Sequence, residues 1–208
     1  MKTGATHNPF IYQFLRLYTI WKIKRNFTRV EILGEVTHHD LPVLIICNHI
    51  SWWDGFWVNY INMKIFHRRF WFMMAEEQLE KNRFFNKTGG FPVRKGSRNI
   101  IASLRYASDL LKDKGNLLLI FPQGMIRSLY DSEIRFEKGI EYIIRHTSNE
   151  IRIVFLVCLP DYLSNPKPVL YAYLKEHNAG VYSLVEMEQE YRDFYDRSLK
   201  ASINRKEE

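Results

Sequence analysis

The stretch Val43-Leu44-Ile45-Ile46-Cys47-Asn48-His49-Ile50-Ser51-Trp52-Trp53-Asp54 decides the fold. Its first five residues are apolar without a break, which is strand length and too short for a helix, so they read as a strand covered on both faces. The polar residues that follow carry a histidine, and over residues 53–65 apolar side chains return at helical spacing. Strand, polar turn and helix form the unit from which layered α/β folds are built.

The same unit recurs on both sides. Short apolar runs at residues 70–74, 117–121, 151–159 and 169–173 read as strands, and residues 29–33 alternate in the strand manner before Gly34. Helical patterns lie between them at 76–85, 98–112 and 137–145, and a charged helix runs from Val181 to about Ser198. The expectation is an α/β sandwich over residues 29–208: a single domain with a mixed, largely parallel sheet flanked by helices.

Residues 1–28 form an amphipathic segment in front of that domain. From residue 9 to 24, Phe10, Phe14, Leu17, Tyr18 and Trp21 share one side of a helix, while Gln13, Arg16, Thr19 and Lys22 recur every third position on another. Residues 1–30 carry six basic side chains and no acidic one. An aromatic face with only positive charge suits the interface of an anionic membrane, where apolar burial and attraction to headgroups add.

The 208 residues, 46% hydrophobic and 25% charged, suffice for one domain with a sizeable core and exclude a disordered tail or a disulfide-stapled miniature. The net charge of +7 attracts phosphates in general. Its cations fall at turns and on one helix and match no nucleic-acid-binding motif, so a nucleic-acid partner is not expected. Cys47 and Cys158 lie in apolar runs and read as buried free thiols of a reducing compartment. With no cleavable leader and no apolar run of spanning length, the expected place is peripheral, on the cytoplasmic side of a membrane.

The chemistry begins at His49 and Asp54. Five positions apart across a strand-to-helix turn, the carboxylate can hold one imidazole nitrogen while the other takes a proton from an attacking hydroxyl. No serine completes a triad, so the nucleophile comes from the substrate. Three further pieces carry glycine and cations. Residues 121–128, Phe-Pro-Gln-Gly-Met-Ile-Arg-Ser, follow a buried strand; residues 88–97 read as a glycine-flanked basic turn suited to a phosphate; and Lys138 follows in Phe136-Glu137-Lys138-Gly139. A zinc site on His38, His39, Asp40 and His49 lacks a spacing that fixes its geometry, so no metal is expected. His7, His67, His146 and His177 read as surface or satisfied histidines.

In their order these pieces resemble the lysophospholipid acyltransferase family, the glycerolipid acyltransferases typified by 1-acyl-glycerol-3-phosphate acyltransferase. Asn48, His49 and Asp54 match the family's N-H-x-x-x-x-D motif. Residues 90–95 are similar to its phosphate-binding motif, with Arg94 or Lys95 in the place of the arginine. Phe121, Pro122, Gly124, Arg127 and Ser128 match F-P-E-G-T-R-S, and residues 157–160 resemble its fourth motif.

The resemblance implies transfer of an acyl group from acyl-CoA or acyl carrier protein, as co-substrate and with no cofactor, to the hydroxyl of a lysophospholipid-like acceptor. It implies His49 and Asp54 as catalytic residues. Arg94, Lys95, Gln123, Gly124, Arg127 and Lys138 would bind substrate. Two departures stand out: Gln123 replaces the family glutamate, and Met125-Ile126 displaces the arginine by one residue. A neutral amide can accept a hydrogen bond from an acceptor hydroxyl but cannot act as a base. This leaves open a different acceptor, such as a glycosylated lipid or a carotenoid glycoside, or a lipid-binding protein without turnover.

Overall fold

The computed structural model describes residues 4–37, 40–94, 96, 100–131, 133–147, 150–177 and 183–205. In chain order the elements are α1 (Pro9–Asn26), β1 (Arg29–Leu33), β2 (Val43–Cys47), α2 (Asp54–Ile61), β3 (Arg69–Ala75), α3 (Glu76–Lys81), β4 (Gly90–Val93), α4 (Ile100–Leu110), β5 (Asn116–Ile120), α5 (Gly139–His146), β6 (Arg152–Asp161), β7 (Val169–His177) and α6 (Leu184–Ile203). The strands form one sheet in the order β1-β7-β6-β2-β5-β3-β4, parallel throughout except for the antiparallel β6/β7 pair. The mixed, largely parallel α/β sandwich is thus the fold.

Alternation along the strands divides the core in two. Leu44 and Ile46 of β2 with Leu118 and Ile120 of β5 face the layer of α4, α5 and α6, where Leu104, Ile140 and Tyr191 are buried. Val43, Ile45 and Cys47 with Leu117 and Leu119 face the layer of α1, α2 and α3, where Leu15, Val58 and Leu79 are buried. Every residue of β2 and β5 is buried, which explains why both read as unbroken apolar runs. β2 is the middle strand and β5 its neighbour, so the turns that follow them meet at one edge.

Helix α1 starts where Asn8 accepts the N–H of Ile11 at 3.1 Å and Pro9 takes the first turn. It buries Leu15, Thr19 and Ile23, one residue per turn. Thr19, which sequence spacing places on the polar side, is fully buried and its hydroxyl has no partner. The aromatic side points outward: Phe10, Phe14, Leu17 and Trp21 are 86, 68, 58 and 49% exposed. The helix therefore has two apolar sides, one in the core and one bare.

Three other expectations change. Residues 90–93, read as part of a turn, form the edge strand β4, paired with β3. Four residues containing glycine and proline carry little strand signal of their own, and the edge position tolerates Pro92. The helical pattern at 53–65 ends in α2 and continues as a π-helical turn, Asn62–Phe66, where the Asn62 side chain holds both main-chain groups of Arg68. His7 is not a surface residue: its ring packs edge-on against Trp71 at 4.4 Å and Tyr12 at 4.9 Å, and its Nε2 is buried without a hydrogen bond.

Replacing Leu15 or Ile23 by Ala is expected to cost about 2–4 kcal/mol in urea unfolding, whereas Phe14→Ser or Leu17→Ser should stay within about 0.5 kcal/mol. Equal losses on the two sides would contradict the orientation of α1. Burial, reinforced by the charge of Arg69, lowers the His7 pKa from 6.5 to about 4. The unfolded chain then binds a proton that the fold refuses, so stability present above pH 6.5 is lost as pH falls towards 4. Thermal melts across that window should show a smaller decline in His7→Gln than in the wild type.

Candidate active site

The site is built on the ends of β2 and β5. Asn48, one residue beyond β2, is buried, and its side chain pairs with both main-chain groups of Cys158 on β6. Its Oδ1 accepts the Cys158 N–H at 2.8 Å, and its Nδ2 donates to the Cys158 carbonyl at 3.0 Å. The ladder between β2 and β6 is thereby extended through a side chain, and the next residue, His49, starts from a fixed point.

The turn after β5 holds the main chain of His49 at both of its polar groups. The His49 N–H donates to Gln123 Oε1 at 2.8 Å, and the His49 carbonyl accepts the N–H of Arg127 at 2.8 Å. Gly124, at φ +64°, makes this turn possible, because a left-handed conformation favours a residue without Cβ. Phe121 lies flat against the imidazole at 3.9 Å with 9° between the planes.

Asp54 fixes the remaining freedom of the ring. Its Oδ2 lies 2.8 Å from His49 Nδ1 and accepts the N–H groups of Ile50 at 2.7 Å and Ser51 at 2.9 Å. An oxygen already accepting two N–H groups requires Nδ1 to be the donor, which leaves Nε2 as the basic nitrogen. The carboxylate sits at the first residue of α2, where the helix dipole favours negative charge. It is nonetheless fully buried, and Oδ1 has no partner. Burial pushes its pKa above the ordinary aspartate value, opposed by His49 and the two backbone donors. The His49 side chain keeps 19% of its surface accessible. Held at Nδ1, stacked on one face and open to solvent, the imidazole can take a proton from a bound hydroxyl.

The other expected site residues are disposed around this centre. Gln123 is buried and its carbonyl is engaged by the His49 N–H, so its first contact is with the main chain of the catalytic turn, a role its reading from sequence did not include. Arg127 contributes its backbone to His49, while its half-exposed guanidinium lies 3.7 Å from Asp131. Lys138 is exposed beside α5, in a segment tied to the β5 turn by the Glu137 N–H to the Pro122 carbonyl at 2.9 Å. Arg94, at the end of β4, faces Glu76 at 3.9 Å and stands three strands from β2, roughly 14 Å at the usual strand spacing. Lys95, His38 and His39 lie outside the described residues. The centre thus joins His49, Asp54, Gln123, Gly124 and the backbone of Arg127. Among the described residues, no group of three or more His, Cys, Asp or Glu is placed to hold a metal ion.

A groove of about 900 Å³ opens beside the turn that links His49 to Asp54, where Ile50, Ser51 and Trp53 form part of its wall. Phe56 and Trp57 of α2 both line it and belong to the core. Its other walls are Lys22 and Ile23 of α1, Leu159, Pro160 and Tyr162 at the end of β6, and Tyr195 and Leu199 of α6. The walls supplied by α1, β6 and α6 have no signature in the sequence, because they are distant along the chain and share no periodicity. A chain of ring contacts passes its wall at Phe56, running from Phe14 through Tyr18, Phe56, Trp52 and Phe85 to Phe84, with successive centroids 4.1–6.4 Å apart. Phe14, Trp52 and Phe84 in that chain are exposed. Among the described residues, no helix is long and apolar enough to cross a membrane.

No curated protein matches this chain. The family model described as Acyltransferase matches residues 9–158, from the start of α1 to the Cys158 that Asn48 holds. The match takes in the His49–Asp54 pair and the β5 turn that grips it, and the chain belongs to the acyltransferase family, that of the lysophospholipid acyltransferases.

Proposed function

We propose that this acyltransferase moves a fatty acyl group from an acyl thioester, acyl-CoA or acyl carrier protein, to a hydroxyl of a lysophospholipid-like acceptor at a membrane surface. The observation that carries the reading is the His49–Asp54 pair, with Nδ1 bound to a buried carboxylate and Nε2 left for a substrate. The acceptor oxygen attacks the thioester carbonyl as Nε2 takes its proton. The tetrahedral intermediate then collapses, the C–S bond breaks, and the leaving thiolate receives that proton from the imidazolium. Because the thioester is already activated, alignment of the two substrates and one base are the main requirements, and no covalent enzyme intermediate is needed.

The groove beside the His49–Asp54 turn suits an acyl chain, and Arg94, Arg127 and Lys138 at the same edge suit a phosphate. Gln123 is engaged in holding His49, which a glutamate could do equally well, so its presence does not favour a glycosylated acceptor. A binding protein without turnover has no use for a buried carboxylate with an unpaired oxygen, a feature that costs stability. The bare aromatic side of α1, continuous with Trp52 next to the catalytic turn, supports docking on anionic lipid with the site turned towards the bilayer. A peripheral position on the cytoplasmic side agrees with two buried free cysteines.

Incubation with labelled acyl thioester and a panel of lysolipids should yield an acylated lysophospholipid. In His49→Ala the rate should fall by about 10²–10⁴-fold with an unchanged melting temperature. Gln123→Glu should keep the wild-type ranking of acceptors. Full activity in His49→Ala would remove the proposed base. For the membrane, flotation with anionic vesicles should fail in the triple variant Phe14→Ser, Leu17→Ser, Trp21→Ser and weaken with salt for the wild type. Unchanged flotation of the variant would place the contact elsewhere.

A further inference from the structure

We infer that Lys22 of α1 is a phosphate ligand for the lipid acceptor, held at the wall of the groove beside the His49–Asp54 turn by three aromatic rings. The inference rests on the acceptor reading above and names a residue outside the motifs on which that reading stands. The Lys22 ammonium lies 4.9 Å from the ring centre of Trp53, 5.4 Å from Trp21 and 5.6 Å from Tyr18. Ring faces attract and orient a cation but offer no lone pair to its three N–H donors. No carboxylate pairs with it among the described residues, although Asp161 lines the same groove. A half-buried cation, fixed in place and with its donors unused, fits an incoming anion.

Its position selects which anion. Trp53 directly precedes Asp54, and Lys22, Trp53 and Ser51 share one wall of the groove. A group bound there meets the wall formed by residues between His49 and Asp54, and the phosphate of a lysolipid is a few bonds from the hydroxyl to be acylated. Arg94, by contrast, stands three strands away from β2. The same phosphate chemistry is offered by the headgroups of the bilayer, and the experiment separates the two sources.

Binding of a short-chain lysophosphatidic acid, without vesicles or thioester, can be followed through tryptophan fluorescence, since Trp21 and Trp53 flank the ammonium. Lys22→Gln, a substitution that suits a helix, should weaken binding about tenfold or more, and Lys22→Arg should restore it to within about threefold. The monoacylglycerol of the same chain length, which lacks the phosphate, should bind wild type and Lys22→Gln alike. Equal affinity of wild type and Lys22→Gln for the phosphorylated lipid overturns the inference, as does an equal loss for both lipids. A loss seen only in anionic vesicle flotation also overturns it and assigns Lys22 to the bilayer. Failure of the wild type to transfer an acyl group to any lysolipid would instead overturn the acceptor reading and leave the binding result to decide on Lys22.

Discussion

Two hydrogen bonds to the main chain of His49, one from its N–H to Gln123 and one from Arg127 to its carbonyl, are the constraint on which the site depends. They join the turns after β2 and β5, two strands that pair in the middle of the sheet although their partnered residues are 74 apart in the chain. Asn48 supplies the third fixed point by tying the end of β2 to β6. With the backbone held in this way, Asp54 and Phe121 have only the ring to orient, and a ring with few arrangements open to it loses little entropy when a substrate binds. Several residues that look like substrate contacts in sequence therefore act first on the protein itself, Gln123 above all.

The cost of this arrangement is concentrated in Asp54. A fully buried carboxylate that leaves one oxygen unpaired opposes folding, and the helix dipole with three donors on the other oxygen offsets part of that cost. The raised pKa expresses the remainder. Such a residue makes sense where the charge is needed to stabilise an imidazolium formed during reaction.

Helix α1 gives the fold its second particular feature. Leu15 and Ile23 anchor it to the same core that carries Cys47 and Val58, and its aromatic side remains bare. Since it also supplies Lys22 and Ile23 to the groove, the segment that suits a lipid surface is part of the wall that would receive the lipid. Apolar residues recur on both sides of this helix, so its sequence shows an aromatic side without telling which side the core takes.

The sequence by itself determined the layered α/β class, six of the seven strands, and the His49–Asp54 pair with its motif context. Those features are local: unbroken apolar runs report burial on both faces, and His49 and Asp54 meet across a single turn. Strand β4 escaped because Gly90–Val93 becomes a strand through pairing with β3 rather than by propensity. The engagement of Gln123, the burial of Thr19 and of the His7 Nε2, and the groove walled by α1, β6 and α6 were decided only by the tertiary structure. Each depends on which surfaces meet after the chain has folded, and residues far apart in sequence carry no local signal of that meeting.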